Sequence, residues 1–482
     1  MSSAPTPATT ATTAPGLASV SEPPTHPPSV SFAEAFKFWL QLGFISFGGP
    51  AGQIAIMHRE LVEKRRWVSE KRFLHALNFC MLLPGPEAQQ LATYLGWLLH
   101  RTRGGLVAGV LFVLPSLLLL IVLSWVYMAY GEQPLIAAIF YGIKPAVAAI
   151  VLHALHRIAK KSLGNPALAP VPWALAAMSF IAIAVFAVPF PLVVLSALGI
   201  GAVLARVAPA ALPGAGGHAR AAGAVPATHL PALIDDDTPT PPHARYKASR
   251  LALVLAIGGA LWLLPMLVLL VRFGWDATLT QVGWFFTKAA LLTFGGAYAV
   301  LPYVNQAAVE HYQWLTTAQM MDGLALGETT PGPLIMVVAF VGFVAGWGQL
   351  ALGPESRALG AVLAACVATW FTFLPSFIFI LAGGPWVEST RGNLKLTAPL
   401  AAVTAAVVGV IANLALFFVA AVAYPGAITA EFDGSFQTQP DWIALALVLA
   451  AALALWWLQW GVVRVIAAAA LAGLLLHFAG WR

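Results

Sequence analysis

Short, interrupted apolar segments come before long, uninterrupted ones in each half of the chain. Gly or Pro breaks separate the short segments, and each is shorter than the roughly 20 residues of a spanning helix. They cover residues 32–46, 49–62, 73–83 and 87–99, and then 281–294, 297–310, 320–330 and 333–347. Full spans are predicted at 106–129, 135–156, 171–188, 190–206, 250–271, 358–382, 396–422, 442–460 and 462–480. The pattern predicts an all-α polytopic membrane protein.

Three landmarks recur in the same order in both halves, which indicates an internal duplication. They are Ser46-Phe47-Gly48-Gly49 with Thr293-Phe294-Gly295-Gly296, Pro84-Gly85-Pro86 with Pro331-Gly332-Pro333, and Leu114-Pro115-Ser116 with Leu374-Pro375-Ser376. The first two share an offset of 247 residues, and the third has an offset of 260. The second half therefore carries an insertion between its second and third landmarks.

Two segments rich in Pro, Ala, Thr and Gly lie outside the apolar halves. Residues 1–30 predict a disordered N-terminal segment without the features of a signal peptide, so we expect it to be retained. Residues 207–249 predict a flexible cytoplasmic linker. The domain prediction is then a first repeat at 31–206, and a leading helix with a second repeat at 250–482.

Composition supports the membrane assignment. Hydrophobic residues make up 60% of the chain and charged residues 9%, with a mean hydropathy of +0.83. Soluble domains carry roughly 25% charged residues, so a soluble enzyme and a nucleic-acid-binding protein are excluded. Cys80 and Cys366 suggest neither a disulfide nor a metal site. Because nucleotide-binding and metalloprotease motifs are absent, we predict no cofactor, no metal and no enzymatic activity.

Positive charge distinguishes two arrangements of the interrupted segments. They are either broken spans that cross once, or hairpins that enter and return. Cytoplasmic loops are enriched in Lys and Arg, and hairpins place the basic loop 59–72, the cluster 157–161 and the linker together on that side. Broken spans would place 157–161 outside. We therefore predict hairpins, a cytoplasmic N-terminus, and two repeats of inverted orientation, an architecture shared by many secondary transporters.

The four breaks predict a central site for an anion. Irregular backbone at membrane depth occurs where protein buries it or water reaches it, and helix N-termini there favour negative charge. Gln53 and Gln89 add side-chain donors next to the first-half breaks. The candidate binding residues are Gly48, Gly49, Pro50, Gln53, Pro84, Gly85, Pro86, Gln89, Gly295, Gly296, Pro331, Gly332 and Pro333.

Charged residues inside apolar segments add to this prediction. Lys144 lies within the span 135–156 and would favour an anion, since buried ammonium groups usually face a cavity or a partner. Its alternative role is to reach the membrane interface. Glu87 and Glu328 flank the two Pro-Gly-Pro breaks on opposite sides, so we predict them as candidates for proton coupling. Glu87 could instead only stabilise a helix N-terminus.

These motifs resemble the chromate ion transporter family in its long, two-domain bacterial form. The resemblance rests on Phe47-Gly48-Gly49-Pro50, on residues 83–90 with their Pro-Gly-Pro-Glu motif, and on the second-half landmarks. It implies export of chromate across the bacterial inner membrane, driven by the proton-motive force, with resistance to chromate as the result. The second half departs from the first, since Leu334 stands at the position of Glu87 and Val300 at that of Gln53.

The expected partners are a chromate-like or sulfate-like oxyanion, protons and membrane lipid, with no nucleic acid. Sulfate or another oxyanion as the cargo, and an anion channel instead of a transporter, are the alternatives. The sequence leaves open whether the chain forms a homo-oligomer.

Overall fold

The computed structural model describes residues 29–47, 49–166, 169–208, 231–236, 238–239, 241–294, 296–389, 397–425 and 439–481. This part of the chain is all-helical apart from one isolated β-bridge. The α-helices are α1 (Phe32–Ile45), α2 (Gly49–His58), α3 (Glu70–Leu82), α4 (Glu87–Tyr130), α5 (Pro134–Ser162), α6 (Pro170–Ala184), α7 (Phe190–Val207), α8 (Ala248–Phe273), α9 (Thr278–Leu292), α10 (Ala297–Asn305), α11 (Thr317–Thr329), α12 (Val337–Gly348), α13 (Arg357–Ser389), α14 (Thr397–Ala423), α15 (Trp442–Trp456) and α16 (Val462–Phe478).

Six of the described helices are long and apolar enough to cross a membrane, namely α4, α5, α7, α8, α13 and α14. The predictions of full spans at 171–188, 442–460 and 462–480 were too long, because α6, α15 and α16 have only 15, 15 and 17 residues. α4 joins a predicted short segment to a predicted span. It contains a sharp turn at His100 and Arg101, where Arg101 has a φ of 56°. The segments on either side pack antiparallel, so that a Cβ on Gly96 would lie 2.5 Å from the carbonyl oxygen of Gly104.

In the first half, each break is the tip of a helical hairpin. Glu34 at the start of α1 lies 3.9 Å from Arg65, which follows α2, between Oε1 and Nη1. In the next pair, the rings of Phe79 in α3 and Tyr94 in α4 are 5.7 Å apart. A continuous helix rises about 1.5 Å per residue and would separate these residues by more than 15 Å. Both helix pairs therefore return to the side from which they start.

The second half has the same hairpins. The Tyr312 hydroxyl, beyond α10, donates a hydrogen bond to Gln281 near the start of α9 at 3.3 Å. Gly323 of α11 packs on Phe340 of α12 so closely that a Cβ on the glycine would lie 2.3 Å from the ring. These contacts also lie well away from the breaks along both helices. The predicted hairpin arrangement is found in both halves.

The long helix α4 links the bases of the first-half hairpins to those of the second half. His100 forms a hydrogen bond of 2.9 Å with the carbonyl oxygen of Val30, at the base of the first hairpin. Ser116 contacts the second-half tip at Gly332, and the Tyr127 hydroxyl donates to Asp322, toward the base of the second-half hairpins, at 2.9 Å.

Helix α13 runs in the opposite direction to α4, from the bases of the second-half hairpins to those of the first half. Arg357 donates to the carbonyl oxygen of Trp347, at the end of α12. Ser376 then contacts the first-half tip at Gly85, and Glu388 pairs with Arg72 at the base of α3. The hairpins of the two halves therefore open toward opposite sides, and the repeats are inverted. We call the side of the first-half bases the linker face and the other side the opposite face.

Part of the predicted linker packs on the linker face. Ile234 accepts a hydrogen bond from the backbone of Ser69 and donates one to Trp67, both at 3.0 Å. The Ser69 hydroxyl donates to Asp236 at 2.7 Å. A flexible tether therefore does not describe residues 231–236. Of the remaining residues of the predicted linker, 209–230, 237 and 240 lie outside the described part of the chain, as do residues 1–28.

Candidate functional site

The tips of the four hairpins meet through two reciprocal hydrogen bonds. The backbone N–H of Gly85 donates to the carbonyl oxygen of Thr293, and that of Gly332 donates to Ser46, both at 2.8 Å. Gly85 corresponds to Gly332 in the repeat, and Ser46 corresponds to Thr293. Each bond therefore joins a Pro-Gly-Pro break of one half to the other break of the opposite half. We call this arrangement the crossing.

Close packing and backbone conformation explain the two glycines of the crossing. Gly85 and Gly332 have φ angles of 115° and 108°, which side chains rarely adopt. A Cβ on Gly85 would lie 2.5 Å from the hydroxyl of Ser376, and a Cβ on Gly332 would lie 2.7 Å from Cβ of Ser116. The third landmark of each half thus packs on the second landmark of the other. The sequence repeat identifies these landmarks but does not show that they contact each other across the halves.

Two buried glutamines brace the crossing. Gln53 Nε2 donates to the carbonyl oxygen of Gly332 at 2.6 Å and approaches that of Ser46 at 3.4 Å. Gln90 Nε2 donates to Pro84 at 2.7 Å and to the Ser376 hydroxyl at 3.2 Å. The side-chain oxygens of both glutamines are buried and have no hydrogen-bond partner in the described part of the chain. Gln90 was not among the predicted site residues, although it lies in the motif that carries the family resemblance.

Gln89 turns away from the crossing. Its Nε2 donates to the Thr93 hydroxyl, one turn further along α4, at 3.0 Å. The hydroxyls nearest the breaks also donate within their own helices, Ser46 to Leu42 and Thr293 to Ala289. These hydrogen bonds follow from helix geometry, since Ser and Thr side chains readily reach the carbonyl four residues earlier.

The helix N-termini at the other two breaks border open space. α2 begins at Gly49 and α10 begins directly after Gly296, and these glycines are equivalent in the repeat. Their φ angles are 72° and 100°, and a Cβ on either would meet no atom within 4 Å. Pro50 occupies the first turn of α2. The neighbouring candidates Gly48 and Gly295 lie outside the described residues.

The prolines of the Pro-Gly-Pro breaks set the starts of the following helices. Pro86 caps α4, and Pro333 precedes the short 3₁₀ turn that leads into α12. Pro331 and Pro333 are buried, and Pro84 is half-buried. Because the glycine N–H between each pair is used by the crossing, these two breaks offer an anion fewer free donors than the sequence suggested.

Glu87 and Glu328 lie on either side of the crossing. Glu87 is partly buried in the first turn of α4, and Glu328 is buried in the last turn of α11. Glu328 accepts a hydrogen bond from the hydroxyl of Tyr298, in the first turn of α10. A single tyrosine thus connects one candidate carboxyl group to the open helix N-terminus beside Gly296.

Lys144 pairs with Asp322, which was not among the predicted site residues. Its Nζ lies 3.5 Å from Oδ2 of Asp322, which also accepts the hydrogen bond from Tyr127. The Asp322 side chain is 2% exposed and that of Lys144 is 30% exposed. Asp322 precedes the break at Pro331 by nine residues of chain, or about 13 Å of helix. A lone Asp in the apolar segment 320–330 was the signal that could have identified it.

A second ion pair, with both side chains buried, lies on the linker face. Arg72 Nη1 is 2.6 Å from Oε2 of Glu388, and the Tyr94 hydroxyl donates to Oε1 at 2.5 Å. Arg72 also donates to the backbone of the docked linker at Asp235 and Thr238. In the sequence, Arg72 is only one residue of a basic loop, because nothing there places it beside Glu388.

Among the described residues, no group of His, Cys, Asp and Glu is arranged to hold a metal ion. The polar groups near the breaks are amides, hydroxyls and isolated carboxylates. Such a set is suited to hydrogen-bonding an anion and to carrying a proton. It contains no activated nucleophile.

Comparison with known proteins agrees with this architecture. The chain is 34% identical over 458 residues to a chromate transport protein of Pseudomonas aeruginosa, covering 93% of this chain and 94% of that protein. It is 30% identical over 384 residues to a chromate transport protein of Cupriavidus metallidurans, covering 80% and 82%. No solved structure matches the chain. The sequence model of the chromate transporter family matches residues 33–203 and 280–474, and the chain therefore belongs to the chromate transporter family.

Proposed function

We propose that this protein is a secondary transporter that exports chromate from the cytoplasm across the bacterial inner membrane. Export is coupled to the proton-motive force and confers resistance to chromate. The relatives named as chromate transport proteins support the substrate. The inverted hairpins support alternating access, since opposite-facing repeats can rock around a central site.

One observation carries the anion site. The N-termini of α2 and α10 border open space at equivalent positions of the two repeats, beside Gly49 and Gly296. Unpaired N–H groups and the positive end of the helix dipole favour a small dianion there. In the proposed site, Gly48, Gly295 and Pro50 complete these two breaks. The Pro-Gly-Pro breaks, together with Gln53, hold them in register.

Lys144 and Gln89 contribute less directly to the proposed anion site. Lys144 supplies positive charge on the path toward the opposite face, where Asp322 competes with the oxyanion for it. Gln89 contributes only if its side chain turns back from Thr93. Because Lys cannot grip an oxyanion in the bidentate manner of Arg, we expect little discrimination between chromate and sulfate at Lys144.

Glu87 and Glu328 are the proposed proton carriers. A carboxylate near a bound dianion repels it, so a proton on either group changes the energy of the loaded site. The hydroxyl of Tyr298 joins Glu328 to the N-terminus of α10. Glu87→Gln removes one titrating group with little change in shape, and loss of pH dependence in transport is the expected result.

The direction of export rests on the topology. The first-half bases, with Arg59, Lys64 and Arg65, lie on the linker face. Cytoplasmic surfaces are enriched in such residues, so we place the linker face and the N-terminus in the cytoplasm. Membrane lipid surrounds the apolar helices, and whether two copies associate is a separate question for the purified protein.

The test is chromate uptake by everted inner-membrane vesicles with and without the protein. Uptake that sulfate inhibits and that a protonophore collapses supports proton-driven export. Uptake that persists without a proton-motive force and follows the chromate gradient indicates an anion channel. Stronger uptake of sulfate than of chromate identifies sulfate as the cargo. No protein-dependent uptake in sealed, energised vesicles overturns the proposal.

A further inference from the structure

The docked part of the linker makes contacts that the proposed function leaves unexplained. The backbone N–H of Leu233 donates to the carbonyl oxygen of Arg66 at 3.0 Å, next to the bonds that Ile234 forms. Ile234 and Val68 form the isolated parallel β-bridge. The side chain of Ile234 is only 6% exposed, and it belongs to the same buried apolar cluster as the first-half hairpins. This part of the linker is therefore built into the first half.

Arg72 connects the docked segment to the ion pair between the halves. Its guanidinium nitrogens have separate acceptors. Nη1 pairs with Glu388, Nε donates to the carbonyl oxygen of Asp235 at 3.3 Å, and Nη2 donates to that of Thr238 at 3.1 Å. One side chain thus holds both the end of α13 and the docked segment. The side chains of Arg72 and Glu388 are 6% and 1% exposed, so the linker face is closed at this point.

A second attachment lies further along the linker, at the turn formed by residues 242–244. His243 forms a hydrogen bond of 2.9 Å with the carbonyl oxygen of Trp97, in the first-half arm of α4. The next residue, Ala244, is fully buried. The turn packs against both α4 and α13. It therefore lies between a helix of the first-half hairpins and a helix of the second half.

The chain leads from this turn directly into the second half. Arg250, in the first turn of α8, donates to the carbonyl oxygen of His243. α8 packs closely on α13, since a Cβ on Gly258 would lie 2.6 Å from the side chain of Ile378. α8 and α13 are therefore expected to move together. Rocking that separates them from the first-half bases must pull the docked segment away from the first half.

We propose that the docked residues 231–236, 238–239 and 241–244 form a latch that holds the linker face closed and must undock before an oxyanion enters from the cytoplasm. The free energy of docking adds to the cost of opening this face. The open state is populated less by the same factor, and so is the apparent affinity for a ligand that enters there. The effect on transport rests on the proposed function, whereas the closing action rests on the contacts alone.

The first experiment measures the opening of the linker face directly. Nitroxide labels are attached at Lys64→Cys and Ser389→Cys, two exposed positions at the first-half base and at the end of α13. The label distances are measured by double electron–electron resonance on the full chain in nanodiscs. Cys80→Ala and Cys366→Ala remove the two native thiols.

Ile234→Ala removes buried packing of the latch and leaves Arg72 and Glu388 in place. It is expected to raise the fraction of molecules with the longer label distance by about three- to tenfold. His243→Ala, which removes the bond to Trp97, should act in the same direction. Leu233→Ala is the matched control. It removes a similar apolar volume from the neighbouring, only half-buried residue, and its distance distribution should stay within about twofold of the wild type.

The second experiment measures chromate uptake by everted vesicles, whose outer surface is the linker face under the proposed topology. Ile234→Ala should lower KM by about the factor by which it raises the open fraction. A substitution that only damages the fold reduces the amount of active protein, and with it the maximal rate, without lowering KM. A lower KM therefore distinguishes a latch from a merely structural contact.

Replacement of residues 232–238 by Gly and Ser, at equal length, removes the latch and keeps the chain connected. An unchanged label distance in this protein, at normal levels in the membrane, overturns the proposal. If the replaced protein does not reach the membrane, unchanged distances in Ile234→Ala and His243→Ala overturn it by themselves. An equal response to Leu233→Ala overturns it too. The distances do not depend on transport, so vesicles without any uptake would refute the proposed function and leave the latch to be decided by the labels.

Discussion

The crossing makes a quantitative prediction for Gly332→Ala. The substitution adds one methyl group where the backbone has a φ of 108° and where Cβ of Ser116 would be 2.7 Å away. That φ costs a residue with a side chain about 1–2 kcal/mol. A Cβ of Ser116 cannot rotate away, so overpacking adds about 1–3 kcal/mol. We expect a total destabilisation of about 2–5 kcal/mol.

Three other glycines separate the two contributions. Gly49→Ala keeps the unfavourable φ of 72° but meets no atom within 4 Å, so only the strain of about 1–2 kcal/mol remains. Gly259→Ala, inside α8, has neither an unfavourable φ nor a close neighbour and should gain about 0.5–1 kcal/mol. The destabilisation by Gly85→Ala should lie between those of Gly49→Ala and Gly332→Ala. Its closest neighbour is the hydroxyl of Ser376, which can rotate away from the new methyl group.

The assay is thermal unfolding of the purified proteins in one detergent, with chromate uptake measured in parallel. The expected order of midpoints is Gly259→Ala at or above the wild type, then Gly49→Ala, then Gly332→Ala. In the double variant Ser116→Gly/Gly332→Ala, the destabilisation from overpacking should disappear, and the destabilisation from backbone strain should remain. A midpoint for Gly332→Ala equal to that of Gly259→Ala would refute the close packing of the crossing.

The remaining predictions concern the buried polar groups. Glu388→Gln should lower the thermal midpoint by an equivalent of about 3–5 kcal/mol, because it leaves the charge of Arg72 buried without its counter-ion. The double variant Arg72→Met/Glu388→Gln, measured by the same thermal unfolding, should recover much of this loss of stability. Asp322→Asn should cost less than Glu388→Gln in that melt, because Lys144 is partly exposed and can reach water. Gln53→Leu should destabilise by about 1–3 kcal/mol, since it removes the donor to the second Pro-Gly-Pro break; an unchanged melting curve contradicts that role.

Much of the architecture could be predicted because the membrane imposes simple rules. The hairpins and their inversion follow from the distribution of Lys and Arg, and the contacts of α4 and α13 confirm them. The four Gly/Pro breaks were predicted from their matched positions, but the contacts that join them across the halves were not. Helix lengths were less predictable at α6, α15 and α16. Apolar residues continue past the ends of these helices, so hydropathy alone does not mark where they stop.

The polar partners could not be predicted, because they depend on contacts between distant residues. Lys144 stands out in sequence as a cation in an apolar span, and the same composition fits an anion site or an ion pair. Only the packing of α5 on α11 places Asp322 beside it. Similarly, Gly85 and Gly332 stand out as helix breaks, but their N–H groups form hydrogen bonds with the other half.

The two ion pairs between the halves constrain how the repeats can move under the proposed mechanism. Arg72–Glu388 joins the halves on the linker face, and Lys144–Asp322 joins them on the opposite face, with the crossing between. Rocking that opens one face must break the pair on that face and can spare the other. Arg72 and Glu388 are both buried, and Arg72 also donates to the backbone of the docked linker, so opening that face must break more polar contacts. Lys144 is already 30% exposed, so its charge can be hydrated as the pair separates. Separation of the repeats on the opposite face therefore costs less than separation on the linker face, unless the docked linker or a bound oxyanion compensates Arg72.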